Sequence, residues 1–165
     1  MDTILYSEII RKKVDTPESE GKAKLVDILA KQSEGYWEAD EIKIETGLIG
    51  SKGKYFSTRE LKNIQKDTNM KIGKPVESGR KIPSEKNEFF LSRLDGRKVE
   101  TFDGREIGRI YDYEIYMNSH TWKVWKLLID PTGLSPLKRR IRIPTKYVKE
   151  VGQKKIILKE EYKGV

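Results

Sequence analysis

SRLDGRKVETFDGREIGRIYDYE, residues 92–114, has an earlier copy in SEIIRKKVDTPESEGKAKLVDIL, residues 7–29. The two stretches align without a gap at an offset of 85 positions. Ser7 falls on Ser92, Lys13-Val14 on Lys98-Val99, Thr16 on Thr101 and Asp27 on Asp112. Conservative matches lie between them: Ile9 with Leu94, Asp15 with Glu100, Lys24 with Arg109, Leu25 with Ile110. The same offset sets Trp37 on Trp122 and Ile44 on Ile129. With two residues of slip, Phe56-Ser57-Thr58 falls on Ile143-Pro144-Thr145, and Leu61 on Val148. Two units are too few for a solenoid, so the repeat predicts a tandem of small modules.

The later copy has the clearer strand grammar. Lys98 to Phe102 alternates, and Asp103-Gly104 is a strong hairpin dipeptide because both positions tolerate positive φ. Strands are expected at 107–117, 122–130, 138–143 and 155–158, with a short helical turn from Lys146 to Val151. The Asn118-Ser119-His120 and Pro131-Thr132-Gly133 steps separate them. In the first copy, strands are expected at 12–16, 23–30, 36–45 and 53–57. Ser57-Thr58-Arg59-Glu60 then reads as a capping box opening a helix with Leu61 and Ile64 on one face. Short strands at this spacing predict an all-β protein of antiparallel barrels or sandwiches. The domain boundaries follow: a degenerate module over 1–72, a Gly/Pro/Ser/Lys-rich linker over 73–90, and a better-formed module over 91–160. Each module is near the low end of what buries an adequate core unaided, so the two should pack together about a pseudo-twofold axis.

The net charge of +8 is unevenly shared. Residues 1–85 hold 16 Lys/Arg against 15 Asp/Glu, and residues 86–165 hold 18 against 11. The basic character therefore belongs to the second module, where it favours nucleic acid, an acidic membrane face or an acidic protein. The chain has no cysteine, which excludes disulfides and thiolate chemistry and fits a reducing cytosol. No apolar run is long enough to span a bilayer, and Met1-Asp2-Thr3-Ile4-Leu5 lacks signal-peptide anatomy. A cytoplasmic protein is expected, brought near a membrane only by a partner.

The second module resembles the PRC-barrel family, a β-barrel found in the photosynthetic reaction-centre H subunit and in RimM, a ribosome maturation factor. Leu94-Asp95-Gly96-Arg97-Lys98-Val99 and Asp103-Gly104-Arg105-Glu106-Ile107-Gly108-Arg109-Ile110-Tyr111-Asp112 carry the resemblance, with Leu127-Leu128-Ile129 and the Ile143-Pro144 step. Gly96, Asp103 and Gly104 read as turn residues, and Gly108 as a point of close packing or bending inside a strand. The first module departs from the pattern: Arg11, Ser19 and Ala23 stand where the second has Gly96, Gly104 and Gly108. The resemblance implies two PRC-type antiparallel β-barrels in tandem. It also implies an adaptor without chemistry of its own, of the kind that acts in archaeal cell division beside SepF and FtsZ. The alternative it leaves is a ribosome maturation role like that of the RimM barrel, with contact to ribosomal RNA or a ribosomal protein.

The residues themselves give catalysis little support. His120 is the single histidine, placed in a turn without a positioned partner. Glu38, Asp40 and Glu41 would alternate faces on a strand rather than converge on an ion. No cofactor or metal site is expected. Lys138-Arg139-Arg140-Ile141-Arg142 is the sharpest charged feature. As a strand it would set Lys138, Arg140 and Arg142 on one face, solvated, paired internally or offered to a partner. Trp122 and Trp125 should point to opposite faces, with Trp122 in the core like Trp37. Trp125 then anchors an interface, with the other module or with a partner, alongside Tyr113 and Tyr116. The expected partner-contact set is Trp125, Tyr113, Tyr116, Lys138, Arg139, Arg140 and Arg142. An acidic or membrane-associated protein is the partner it favours, RNA is a lesser alternative, and a further homodimer is compatible with it.

Overall fold

Residues of alternating character and β-branched runs build one continuous sheet. The structure, a computed structural model, describes residues 2–16, 19–45, 53–62, 70–72, 86–118, 121–131 and 140–164. In the first half the strands are β1 (Asp2–Leu5), β2 (Lys13–Thr16), β3 (Ser19–Lys31), β4 (Trp37–Glu45), β5 (Lys54–Ser57), β6 (Leu61–Lys62) and β7 (Met70–Ile72). The second half supplies β8 (Glu88–Phe90), β9 (Lys98–Glu100), β10 (Glu106–Met117), β11 (Trp122–Pro131), β12 (Ile141–Pro144), β13 (Val148–Val151) and β14 (Lys155–Leu158). One turn of α-helix, α1 (Tyr6–Ile9), and 3-10 turns at Thr58–Glu60, Leu91–Leu94 and Thr145–Tyr147 complete the described elements.

The repeat is written into the pairing. The second half runs β13-β14-β9-β10-β11 with β12 on β11, and the first runs β6-β7-β2-β3-β4 with β5 on β4. Each order maps onto the other strand for strand, including one parallel pair in each, β9–β14 and β2–β7. Neither set closes on itself among the described residues; instead β4 and β11 pair, fusing both into one sheet. Matched apolar positions of the repeat supply much of the core. Ile9 and Leu94, Val14 and Val99, Leu25 and Ile110, Trp37 and Trp122, Ile44 and Ile129, Phe56 and Ile143, and Thr58 and Thr145 are all buried.

The two strands that precede the modules are exchanged. β1 pairs with β10 of the second half, and β8 pairs with β3 of the first. The side chains that follow repeat the exchange. The Ser7 amide donates to Asp112 Oδ1 at 3.0 Å and its hydroxyl bonds Oδ2 of the same carboxylate. The Ser92 amide donates to Asp27 Oδ1 at 3.2 Å, and its hydroxyl bonds Asp27 Oδ2. Both carboxylates are buried and take charge-assisted bonds from the opposite half, so each half completes the other.

Several boundaries differ from expectation. Residues 88–90, expected to end the linker, form β8 because Phe89 and Phe90 find apolar cover. Phe89 packs edge-on against Trp37, with ring centroids 4.9 Å apart. The expected helical turn over 146–151 is one 3-10 turn followed by β13. Its counterpart is a 3-10 turn capped by Ser57 Oγ, which accepts from the Arg59 amide at 3.3 Å, and then β6. Ile64, His120, the 132–133 turn positions and linker residues 73–85 lie outside the described residues.

Candidate functional site

The seam between the halves carries the local symmetry. Lys123 on β11 faces Glu38 on β4, and these two positions are equivalents of the repeat, so a pseudo-twofold axis passes between them. Across the seam the Trp37 amide donates to Thr145 Oγ1 at 3.1 Å, and that hydroxyl donates to the Val124 carbonyl at 2.6 Å. Gln32 Nε2 reaches the Val148 and Lys149 carbonyls at 3.3 and 3.1 Å.

Trp125 stands beside this seam, and a bulge puts it there. On β10–β11 the register steps from Glu114–Lys126 to Ile115–Val124, leaving Trp125 as the extra residue. Val124 and Leu127 point into the core on either side of it, while Trp125 is half-buried. Such a bulge re-aims a side chain without breaking the sheet. The first half has an irregularity at the same place, between Leu29–Glu41 and Lys31–Glu38, which spans Asp40, the equivalent of Trp125. A second matched pair of shifts leaves Tyr111 and its equivalent Val26 unpaired.

The Trp125 ring meets Tyr116 at 5.9 Å and, from the first half, Tyr36 at 6.2 Å, both edge-on. Lys126 Nζ lies 4.8 Å from the Trp125 ring centroid. Lys146 Nζ lies 5.6 Å from Tyr36 and 5.2 Å from Tyr147. The result is a belt of aromatic rings dressed with ammonium groups, drawn from both halves. Tyr36, Lys126, Lys146 and Tyr147 did not stand out in the sequence. Their signal was proximity to Trp37, Trp125 and the Pro144-Thr145 step, which becomes meaningful once the seam is known.

The other expected contact residues separate. Tyr113 is a core residue, which corrects its expected place at an interface. It is 1% exposed and its hydroxyl donates to the Leu91 carbonyl at 2.8 Å. The bulge at Tyr111 is the reason, since it turns Tyr113 inward and Tyr111 outward. Burial first, and then the nearby Tyr6 and Asp95, hold the Tyr113 phenol well above its ordinary range. Burial and then the Asp27 carboxylate do the same for Tyr6, which donates to Asp27 Oδ1 at 3.0 Å.

Lys138 and Arg139 lie outside the described residues. Arg140 precedes the strand rather than sitting in it, which removes the expected three-residue basic face from β12. Its guanidinium lies 5.0 Å from the Tyr111 ring centroid. Arg142 is on β12, exposed, with Nη1 3.2 Å from Glu114 Oε2. Both described arginines therefore have partners within their own half and still face solvent.

Gly96 and Gly104 have φ of 78° and 88°. The Asp103 carboxylate accepts from the Thr101 hydroxyl, which is the chief reason its acidity is increased. At Gly108 a Cβ would collide with the Asp130 carbonyl of β11. Glu38, Asp40 and Glu41 do not converge, and among the described residues no group of three metal-ligating side chains forms.

The sequence profile of the PRC-barrel domain matches residues 86–163. The second half is a PRC-barrel domain. That domain supplies β8 to the first half's sheet and owns Trp125, Lys126, Lys146, Arg140 and Arg142. No curated protein sequence matches the chain significantly. Among solved structures, the chain is similar to a 16S ribosomal RNA processing protein RimM from Pseudomonas aeruginosa at 14% identity and a TM-score of 0.34. That likeness covers 84% of this chain and 98% of the other. No described helix is long and apolar enough to cross a membrane.

Proposed function

We propose that the chain is a non-enzymatic adaptor whose PRC-barrel domain docks an acidic protein through the belt around Trp125. One observation carries this reading: Trp125 is pushed out of the core by a bulge and held by rings of both halves, yet stays partly exposed. Large aromatics fixed in place at low entropic cost are the anchors that dominate protein interfaces. Lys126, Lys146, Arg140 and Arg142 surround the ring or its strand and would steer a negative partner. In this reading the first half is a support, near neutral and locked to the second by exchanged strands. The family resemblance suggests a cytoplasmic division complex as the setting.

The test is a pull-down from native lysate with and without nuclease, analysed by mass spectrometry, with wild type, Trp125→Ala and Arg140→Glu/Arg142→Glu. A protein partner retained by the wild type and lost by both variants supports the adaptor. Retention of ribosomal components that disappears with nuclease overturns it in favour of RNA contact. Salt separates the two as well, since phosphate binding by several basic groups weakens steeply with ionic strength.

A further inference from the structure

A second surface lies apart from the Trp125 belt. The hairpin between β9 and β10 and the segment after β14 enclose a cleft of about 330 Å³. Phe102 lines it, 50% exposed, and is the only large hydrophobic side chain so exposed among the described residues. Arg105, Lys159, Lys163 and Tyr162 also line it, and Lys149 Nζ sits 4.8 Å from the Phe102 ring centroid. We infer that this cleft docks an acidic peptide segment that carries an aliphatic side chain for Phe102.

Charge selects the sign of the occupant. Arg105, Lys159 and Lys163 line the cleft and Lys149 lies against Phe102, so these cations outnumber the two lining carboxylates, Asp103 and Glu160, although Lys159 Nζ also donates to the Glu34 carbonyl at 3.3 Å. Shape and ring geometry select its class. The feature is concave, which suits an extended segment better than a lipid surface. Lys149 lies over one face of the Phe102 ring, where it competes with base stacking. The first half differs in sequence at the equivalent tip. Its hairpin reads Pro17-Glu18-Ser19-Glu20-Gly21, with glutamates where the second half has Asp103 and Arg105. The two copies thus retain their shared core and differ at this tip.

The probe is a short fluorescein-labelled peptide of alternating glutamate and leucine, titrated with the full chain and followed by anisotropy. Saturable binding is expected, weakened about tenfold or more by Phe102→Ala. The pair Lys149→Glu/Lys163→Glu should weaken it at least as much. Trp125→Ala should leave it unchanged, so failure here is distinct from failure of the belt. Phe102, Lys149 and Lys163 are exposed, and unchanged melting temperatures would confirm that the variants fold. Equal binding by Phe102→Ala overturns the inference, as does equal binding of an all-glutamate peptide. Binding of oligouridylate or phosphatidylglycerol vesicles in place of the peptide, lost in Phe102→Ala, also overturns it.

Discussion

Arg11 and Gly96 occupy the same place in two copies of one turn, and the chain treats them alike. The Arg11 amide donates to the Leu25 carbonyl at 2.6 Å, and the Gly96 amide to the Ile110 carbonyl at 2.9 Å. Leu25 answers through Lys12 and Ile110 through Arg97, each at 3.0 Å. Even the left-handed backbone is retained, at φ 67° for Arg11 and 78° for Gly96. The turn is dictated by its hydrogen bonds and by the buried strands it joins, so the first half keeps the conformation without the residue suited to it. A non-glycine residue there costs about 1–2 kcal/mol. Degeneracy of the first half is thus a matter of local strain and surface chemistry, while its core and pairing remain those of the second.

That equivalence has a strong consequence at the exchanged carboxylates. Asp112→Ala strands the Ser7 amide and hydroxyl and the Tyr113 amide, and should cost about 2–4 kcal/mol in urea unfolding. Asp27→Ala strands Ser92, the Ile28 amide and also the Tyr6 hydroxyl, and should cost more than Asp112→Ala. Because each carboxylate serves the opposite half, both variants should unfold in one transition. Two separated transitions would mean that the halves are independent beads.

A smaller effect separates the halves at the next matched position. Gly108→Ala forces a methyl against the Asp130 carbonyl, with an expected loss of about 2–3 kcal/mol. Ala23→Gly, its mirror in the first half, should cost only about 1 kcal/mol, the ordinary penalty of glycine in a strand. Equal losses would show that β10–β11 has no closer approach than β3–β4. The smallest effect is a gain. Arg11→Gly should stabilise the chain by about 0.5–1 kcal/mol, because Arg11 is exposed and relief of its positive φ exceeds the added chain entropy. Thermal unfolding would read it as a raised melting temperature, and a lowered one would mean that the Arg11 side chain is needed.

Much of this architecture was legible in the repeat. Pairs such as Trp37 and Trp122 or Val14 and Val99 recur because a buried strand position tolerates few shapes, and both pairs lie in the core. Ser7 and Ser92, with Asp27 and Asp112, were equally visible as identities, yet nothing local says what they bond. Their partners are 105 and 65 residues away, in the opposite half. The site was read less well. Trp125 was placed outside the core for a sound reason, alternation, whereas Tyr113 was grouped with it as a neighbouring aromatic although it shares the register of the buried Ile107 and Ile115.

By itself, then, the sequence determined the repeat, the β character, the turn glycines and the basic bias of the second half. Each of these depends on near neighbours or on a residue's own chemistry. Only the tertiary structure decided that β1 and β8 change places, that β4 and β11 fuse two modules into one sheet, and that Tyr36 joins Trp125 at their seam. Those outcomes depend on which distant edge offers unpaired backbone and which buried carboxylate lacks donors. That information resides in the packed whole and in no single stretch of chain.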